Sequence, residues 1–356
     1  MDCRWPLDKI NAWYNSTPWL RGSNFLPSNV VNRLDMYQTY KSDEHLAVAE
    51  EELKLHQSIG FNTVRLWVDF DCYFLEGEKY LKILEKYIAL SAKYKQKVML
   101  VLTHEEDLHY GDKFVAKKLG EQKRYYTHFN RDYQEYELHQ KEKRHYIEYN
   151  SLRPLFIQMV HTIVNKYKDD SRIIAWNIYN EPGITINERS IPILEELFEL
   201  VRSYHPLQPL TADIWRGIND DGSLFTKEEE KALELSDFIS FHCYSGFNSF
   251  KRKIEALKKR SERPIVVTEW LQRCNHNNVE DIYPYLAQER IGCYCWGFVN
   301  GDTFTDEPWN SVWEEMKIGN PNNYDVTKWQ HNLIRRNHEP YDPKEIEIIT
   351  KINKDK

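Results

Sequence analysis

Residues 61–103 read FNTVRLWVDFDCYFLEGEKYLKILEKYIALSAKYKQKVMLVLT. The run FNTVRLWV (61–68) follows Gly60, which breaks the preceding helix, and reads as a strand. EKYLKILEKYIALSAKY (78–94) reads as an amphipathic helix, and KVMLVLT (97–103) as a second apolar strand. Strand, helix and strand in this order describe two parallel strands joined by a helical crossover.

The same alternation runs along the chain. WLRGSNFL (19–26) suits a first strand, followed by EHLAVAEEELKLHQS (44–58), whose Leu46, Val48, Ala49, Leu53 and Leu55 form a helical stripe. Beyond residue 103 the apolar runs lie at 173–179, 209–215, 237–244, 264–270 and 291–299, with helices expected at 151–168, 188–204, 227–235, 248–260, 278–290 and 344–353. Eight strands with helical or long-loop connections at this length predict one α/β domain, residues 1–356, folded as a (β/α)8 TIM barrel. An open doubly wound sheet is the rival, but the chain has neither G-x-G-x-x-G nor G-x-x-x-x-G-K-[ST]. Residues 104–149, dense in charge and tyrosine, are too long for an ordinary connection and are expected to form a rim loop or insertion after the third strand.

Composition narrows the partners. The net charge of −7 argues against a general nucleic-acid binder. No stretch reaches the roughly 18 to 20 apolar residues of a membrane span. MDCRWPLDKINAW lacks the apolar core of a signal peptide, which suits either a cytoplasmic protein or one exported with its signal removed. The six cysteines show neither a dense disulfide framework nor paired C-x-x-C spacing; Cys293 and Cys295 read as small buried strand residues. The 11 Trp, 23 Tyr and 15 Phe serve cores first, although flat rings also suit a carbohydrate cleft.

IIAWNIYNEPG (173–183) ends an apolar strand in Asn180, Glu181 and Pro182. Taken alone this is a helix start, with Asn180 as cap and Pro182 in the first turn. PIVVTEW (264–270), however, also ends on a carboxylate, Glu269. The two glutamates are 88 residues apart, three strand-plus-helix units, and on a barrel they share the C-terminal rim. Paired carboxylates are the tools of glycoside hydrolysis.

WNIYNEP and PIVVTEW resemble the fourth- and seventh-strand motifs of the retaining glycoside hydrolases of clan A, and the chain resembles the cellulase-like members of glycoside hydrolase family 5. The resemblance runs from RGSNFLPSN to CYCWGFV. It implies Glu181 as acid/base and Glu269 as nucleophile of a retaining β-glycosidase, cellulase- or mannanase-like, acting on a glucan, mannan or xylan or its oligosaccharides. It further implies substrate-binding or orienting roles for Asn180, Arg65 in GFNTVRLW, His242 and Tyr244 in FHCY, and Trp296 in CYCWGF. No cofactor and no metal are called for. THEEDL, with His104 and three acidic residues, lacks H-E-x-x-H spacing and reads as a solvated loop from which His104 can reach substrate. Trp67, Trp215 and Trp270 stand near strand ends, where sugar stacking and loop packing are both open. The alternatives are a barrel that binds sugar without catalysis and a metal-dependent hydrolase.

Overall fold

The computed structural model describes residues 4–105, 109–110, 116–123, 143–219 and 221–356. Eight parallel strands close into a barrel: β1 Arg21–Asn24, β2 Thr63–Trp67, β3 Lys97–Val101, β4 Ile173–Tyr179, β5 Leu210–Ile214, β6 Ile239–His242, β7 Ile265–Trp270 and β8 Gly292–Trp296. Each pairs with its sequence neighbours, and β8 returns to β1 through Arg21↔Cys293 to Asn24↔Trp296. All eight expected runs are strands. The expected helices are present as Ser42–Ser58, Glu78–Lys93, Arg153–Tyr167, Ser190–Ser203, Lys227–Leu235, Phe247–Arg260, Val279–Gln288 and Pro343–Lys354. Much of the expected 104–149 loop lies outside the described residues; within it, His109–Tyr110 pairs antiparallel with Lys143–Arg144.

The helix Glu78–Lys93 shows why the pattern is legible. Tyr80, Leu81, Ile83, Leu84, Tyr87, Ile88 and Ser91 are buried at i, i+3, i+4 spacing, while its lysines lie on the wet side. Local caps mark several other starts. Asn278 accepts a bond from Asp281 N at 2.9 Å, and Thr226 accepts one from Glu229 N at 3.3 Å.

Inside the barrel, inward side chains recur every second residue and form layers. The lower layer contains Met99, Ala175, Val266 and Tyr294, with Ile10 and Phe238 in the same cluster. Tyr294 Oη lies 2.9 Å from Thr63 Oγ1, and Thr211 and Ser240 hydroxyls are 2.8 Å apart. Gly22 on β1 has no room for a side chain there, since a Cβ would sit 1.7 Å from Thr63 O. A helix the sequence reading did not foresee, Leu7–Ser16, closes this end. Its Ile10 is fully buried, Trp13 stacks on Phe238 at 5.8 Å, and Tyr14 Oη donates to Arg290 O at 2.6 Å while accepting from Gly292 N. Cys293 and Cys295 are buried on β8 as expected.

The chain beyond β8 is tied back to the barrel by a buried ion pair. Arg273, just after β7, makes bonds of 2.7 and 2.6 Å to Glu345 of the last helix, and both side chains are 3% exposed. The same guanidinium donates to His331 O and Asn332 O at 3.0 and 2.9 Å. Removing one partner leaves a buried charge without its counterion. Arg273→Met and Glu345→Ala are each expected to lower the unfolding free energy by roughly 3–5 kcal/mol, measured by urea denaturation. The double variant is expected to lose less than the sum of the two; additive losses would contradict the pairing.

Candidate active site

The layer above the apolar floor is polar. Arg65 on β2 lies two residues above Thr63, so it points to the barrel axis, where it is fully buried. Its Nη1 donates to Asn24 Oδ1 at 2.7 Å and to Glu269 Oε1 at 3.0 Å. Its Nη2 donates to Asn180 Oδ1 at 2.7 Å and to Asp213 Oδ2 at 2.8 Å. Asp213, inward on β5, also accepts from Asn177 Nδ2 at 2.6 Å and Thr268 Oγ1 at 2.5 Å. Burial works to raise the Asp213 carboxyl, but Arg65, His242 and Thr268 outweigh it and hold it well below the usual carboxylate range.

Thr268 and Glu269 are consecutive, yet both reach this interior network. A regular strand would point them to opposite faces. The pairing resolves this: Phe241 opposes Val267 while His242 opposes Glu269, so β7 carries one extra residue and its pleat is reset. β4 shows a similar slip, with Asn177 opposite Thr211 and Tyr179 opposite Ala212. Asn180 N then bonds Thr103 O at 2.9 Å, which pins the strand end.

The stretch after Asn180 is a turn, and the helix expected at 188–204 begins further on, as Ser190–Ser203. Ile184 N bonds Glu181 O at 3.2 Å across Pro182 and Gly183. Pro at the second position and a Gly with φ of +82° at the third make the signature of a type II turn. Glu181 itself has φ of +47°, the left-handed region that side chains other than Gly rarely occupy. The next regular element begins only at Asn187.

His242 bridges the two carboxylates. Its Nδ1 is 2.6 Å from Glu181 Oε1 and 3.3 Å from Glu269 Oε2, and its Nε2 is 3.6 Å from Asp213 Oδ2. Burial lowers its pKa, but Glu269, Asp213 and Glu181 raise it to about 10 overall. Burial pushes Glu269 up to about 7, and Glu181 adds to that, while His242, Arg65 and a 2.7 Å bond from Tyr244 Oη pull the other way. One atom each of Glu181, His242 and Glu269 lie within 4.8 Å of one another. Those three ligand types could also hold a cation. The Arg65 guanidinium already supplies positive charge beside Glu269. Glu181 has 13% of its side chain exposed, against 8% for Glu269 and 2% for His242.

Aromatic rings wall the site. Trp296 meets Trp67 edge-on at 5.7 Å, and His104 packs against Trp67 at 5.5 Å with Arg33 Nη2 3.4 Å from its Nδ1. Tyr244 touches Trp309 at 5.0 Å and His331 at 5.5 Å. Trp67 is 2% exposed and forms part of this wall. Trp270, by contrast, is buried behind β7 against Tyr283, so it packs in the core and does not face sugar. Trp215 bonds Pro182 O at 3.3 Å and lies under Arg216 at 4.6 Å.

The structure therefore gathers Arg65, Asn180, Glu181, His242, Tyr244 and Glu269 into one connected cluster, with Trp296 in its aromatic wall and His104 beside Trp67. Sequence reading missed Asn24, Asp213 and Thr268, although Asp213 was visible as the one charge in PLTADIW. It also missed Trp309 and His331, which reach the site from the long segment after β8. The expectation that THEEDL is solvated fails at Glu105, which is fully buried.

No curated protein matches the sequence significantly. Among solved structures, GH5_18 from Streptomyces cattleya, in complex with GlcNAc, superposes with a TM-score of 0.61 at 11% identity, covering 94% of this chain and 79% of that one. The endo-1,4-beta-D-mannanase of Thermotoga petrophila gives 0.57 at 16% identity, covering 94% and 99%. A family 5 mannosidase from Rhizomucor miehei gives 0.55 at 16% identity, covering 94% and 92%. At such identities these likenesses speak for the fold. The sequence itself matches the cellulase model of glycosyl hydrolase family 5 over residues 29–302, most of the chain, and with that match the protein belongs to glycosyl hydrolase family 5.

Proposed function

We propose that the protein is a retaining β-glycosidase that hydrolyses a β-glycan of glucan, mannan or xylan type, or its oligosaccharides. The observation that carries this reading is the placement of Glu181 and Glu269 on one rim with carboxylate oxygens within 4.8 Å. Retaining enzymes hold their carboxyl groups about 5–5.5 Å apart, whereas inverting ones leave room for a water between them.

Glu269 is the nucleophile. Arg65 and Tyr244 each bind one of its oxygens and orient it towards an anomeric carbon above Trp296. Glu181 protonates the leaving glycosidic oxygen, and Glu269 forms the glycosyl-enzyme as that bond breaks. Glu181 then takes a proton from water, which attacks the same carbon and releases Glu269. His242 Nδ1, at hydrogen-bond distance from Glu181 Oε1, orients that carboxyl. Asn180 has its oxygen held by Arg65, which turns its amide N–H groups towards a sugar hydroxyl. His104 contributes to the wall of the substrate site.

A panel of β-linked oligosaccharides, with product anomers followed by NMR, is expected to show retained configuration. Inverted product would overturn double displacement, and saccharide binding without turnover of any β-linkage would make the protein a sugar-binding barrel. Glu269→Ala is expected to lose turnover to the detection limit. Glu181→Ala is expected to lose roughly 10²–10⁴-fold on substrates that need an acid.

Glu269 must be ionised to attack, so activity falls as pH drops through its pKa. With that pKa raised to about 7, the acid limb of kcat/KM is expected near neutrality, above the usual carboxylate range. Tyr244→Phe removes a bond to the ionised form and is expected to move this limb to higher pH; a limb that stays put would sink the assignment. A chelator is expected to leave turnover unchanged, and loss of activity restored by a divalent ion would favour a metal-dependent hydrolase.

A further inference from the structure

We infer that Glu105 is a positioning residue for the proton donor, acting through the turn that carries Glu181; this rests on Glu181 being the acid. Glu105 stands two residues beyond Thr103, after β3, and has no solvent exposure. Its carboxylate accepts four hydrogen bonds, all from one stretch of chain. Oε1 takes Tyr179 Oη at 2.8 Å and Gly183 N at 2.7 Å. Oε2 takes Thr185 N at 2.6 Å and Ile186 N at 2.8 Å. Thr185 Oγ1 adds a longer bond to the Glu105 carbonyl at 3.4 Å.

These contacts bracket Glu181 on both sides, from Tyr179 at the end of β4 to Ile186 before the next helix. The bracketed backbone is one that would not hold itself. Glu181 sits at φ of +47°, a conformation disfavoured for a residue with a side chain, and Gly183 sits at +82°. Three N–H groups of the turn point inward, where no helix or strand partner accepts them. A buried carboxylate is the one side chain with enough acceptor capacity for all four donors. Satisfying them there holds the loop in a single conformation and keeps the Glu181 carboxyl beside His242 and within reach of the leaving oxygen. Glu105 lies behind the turn and is not assigned contact with substrate.

The consequence is specific to proton donation. Glu105→Gln replaces one acceptor oxygen with an amide that faces N–H donors, so bonds to the turn are lost. A misplaced acid slows cleavage of substrates with poor leaving groups, while an activated aryl group needs little protonation. For Glu105→Gln, kcat/KM on an unactivated β-oligosaccharide or phenyl β-glycoside is expected to fall roughly 10–100-fold. On a dinitrophenyl β-glycoside the fall is expected to stay below about threefold, the same selectivity that Glu181→Ala is expected to show more strongly. Tyr179→Phe, which deletes one of the four bonds and keeps the ring, is expected to show the same leaving-group selectivity on a smaller scale and serves if Glu105→Gln does not fold.

Equal losses on activated and unactivated substrates, or no loss on either, would overturn the positioning role while leaving the hydrolase reading intact. Failure of the wild type to turn over any β-glycoside would overturn that reading and this inference with it.

Discussion

A buried guanidinium organises the upper half of the barrel. Arg65 is surrounded by acceptors from four other segments: Asn24 on β1, Asn180 after β4, Asp213 on β5 and Glu269 on β7. A cation out of water is tolerable only when its donors are matched and its charge is offset. Asp213 supplies the permanent counter-charge, held ionised by Arg65 against the pull of burial. That leaves Glu269 as a second carboxylate on the same cation. It is bound strongly enough to be oriented, yet shielded enough from water for its pKa to rise. The arrangement exists only when the sheet is closed, since β2, β5 and β7 are not neighbours in the sheet and meet only across the barrel axis.

Strand geometry supplies the second constraint. Alternation explains why Thr63 and Arg65, or Val266 and Thr268, lie one layer apart on the same face. It does not explain Glu269 beside Thr268. The extra residue on β7 turns both inward, so Thr268 serves the Asp213 anchor while Glu269 faces the cleft. On the opposite side of the site, the left-handed Glu181 and the type II turn behind it do comparable work for the other carboxylate. Irregular backbone is thus concentrated where the two carboxylates must converge.

The wall of the site draws on distant chain. Trp309 and His331 belong to the segment between β8 and the last helix, and the Arg273–Glu345 pair fastens that segment to the residues just after β7. His331 Nδ1 also donates to Leu271 O, two residues beyond Glu269. The chain after β8 therefore belongs to the site, and its attachment point lies next to the strand that carries Glu269.

Much of this was legible in the sequence. Apolar runs such as KVMLVLT and helical stripes such as that of residues 78–94 depend on period and burial, which local residue order carries, and they place eight strands in a barrel. The strand-end glutamates follow from the same register, and the motifs around them led to the other members of the cluster. Other features were not legible. Leu7–Ser16 plugs the barrel floor, though only Ile10, Trp13 and Tyr14 hint at an apolar face. Glu105 looks like any acidic loop residue until four donors surround it. The slip on β7 leaves no mark in PIVVTEW, because it depends on the pairing with β6 and not on the strand alone. Local order thus determined the elements and the rim on which the chemistry sits. Closure of the barrel decided the rest, because hydrogen-bond partners and burial are properties of segments brought together from far apart in the chain.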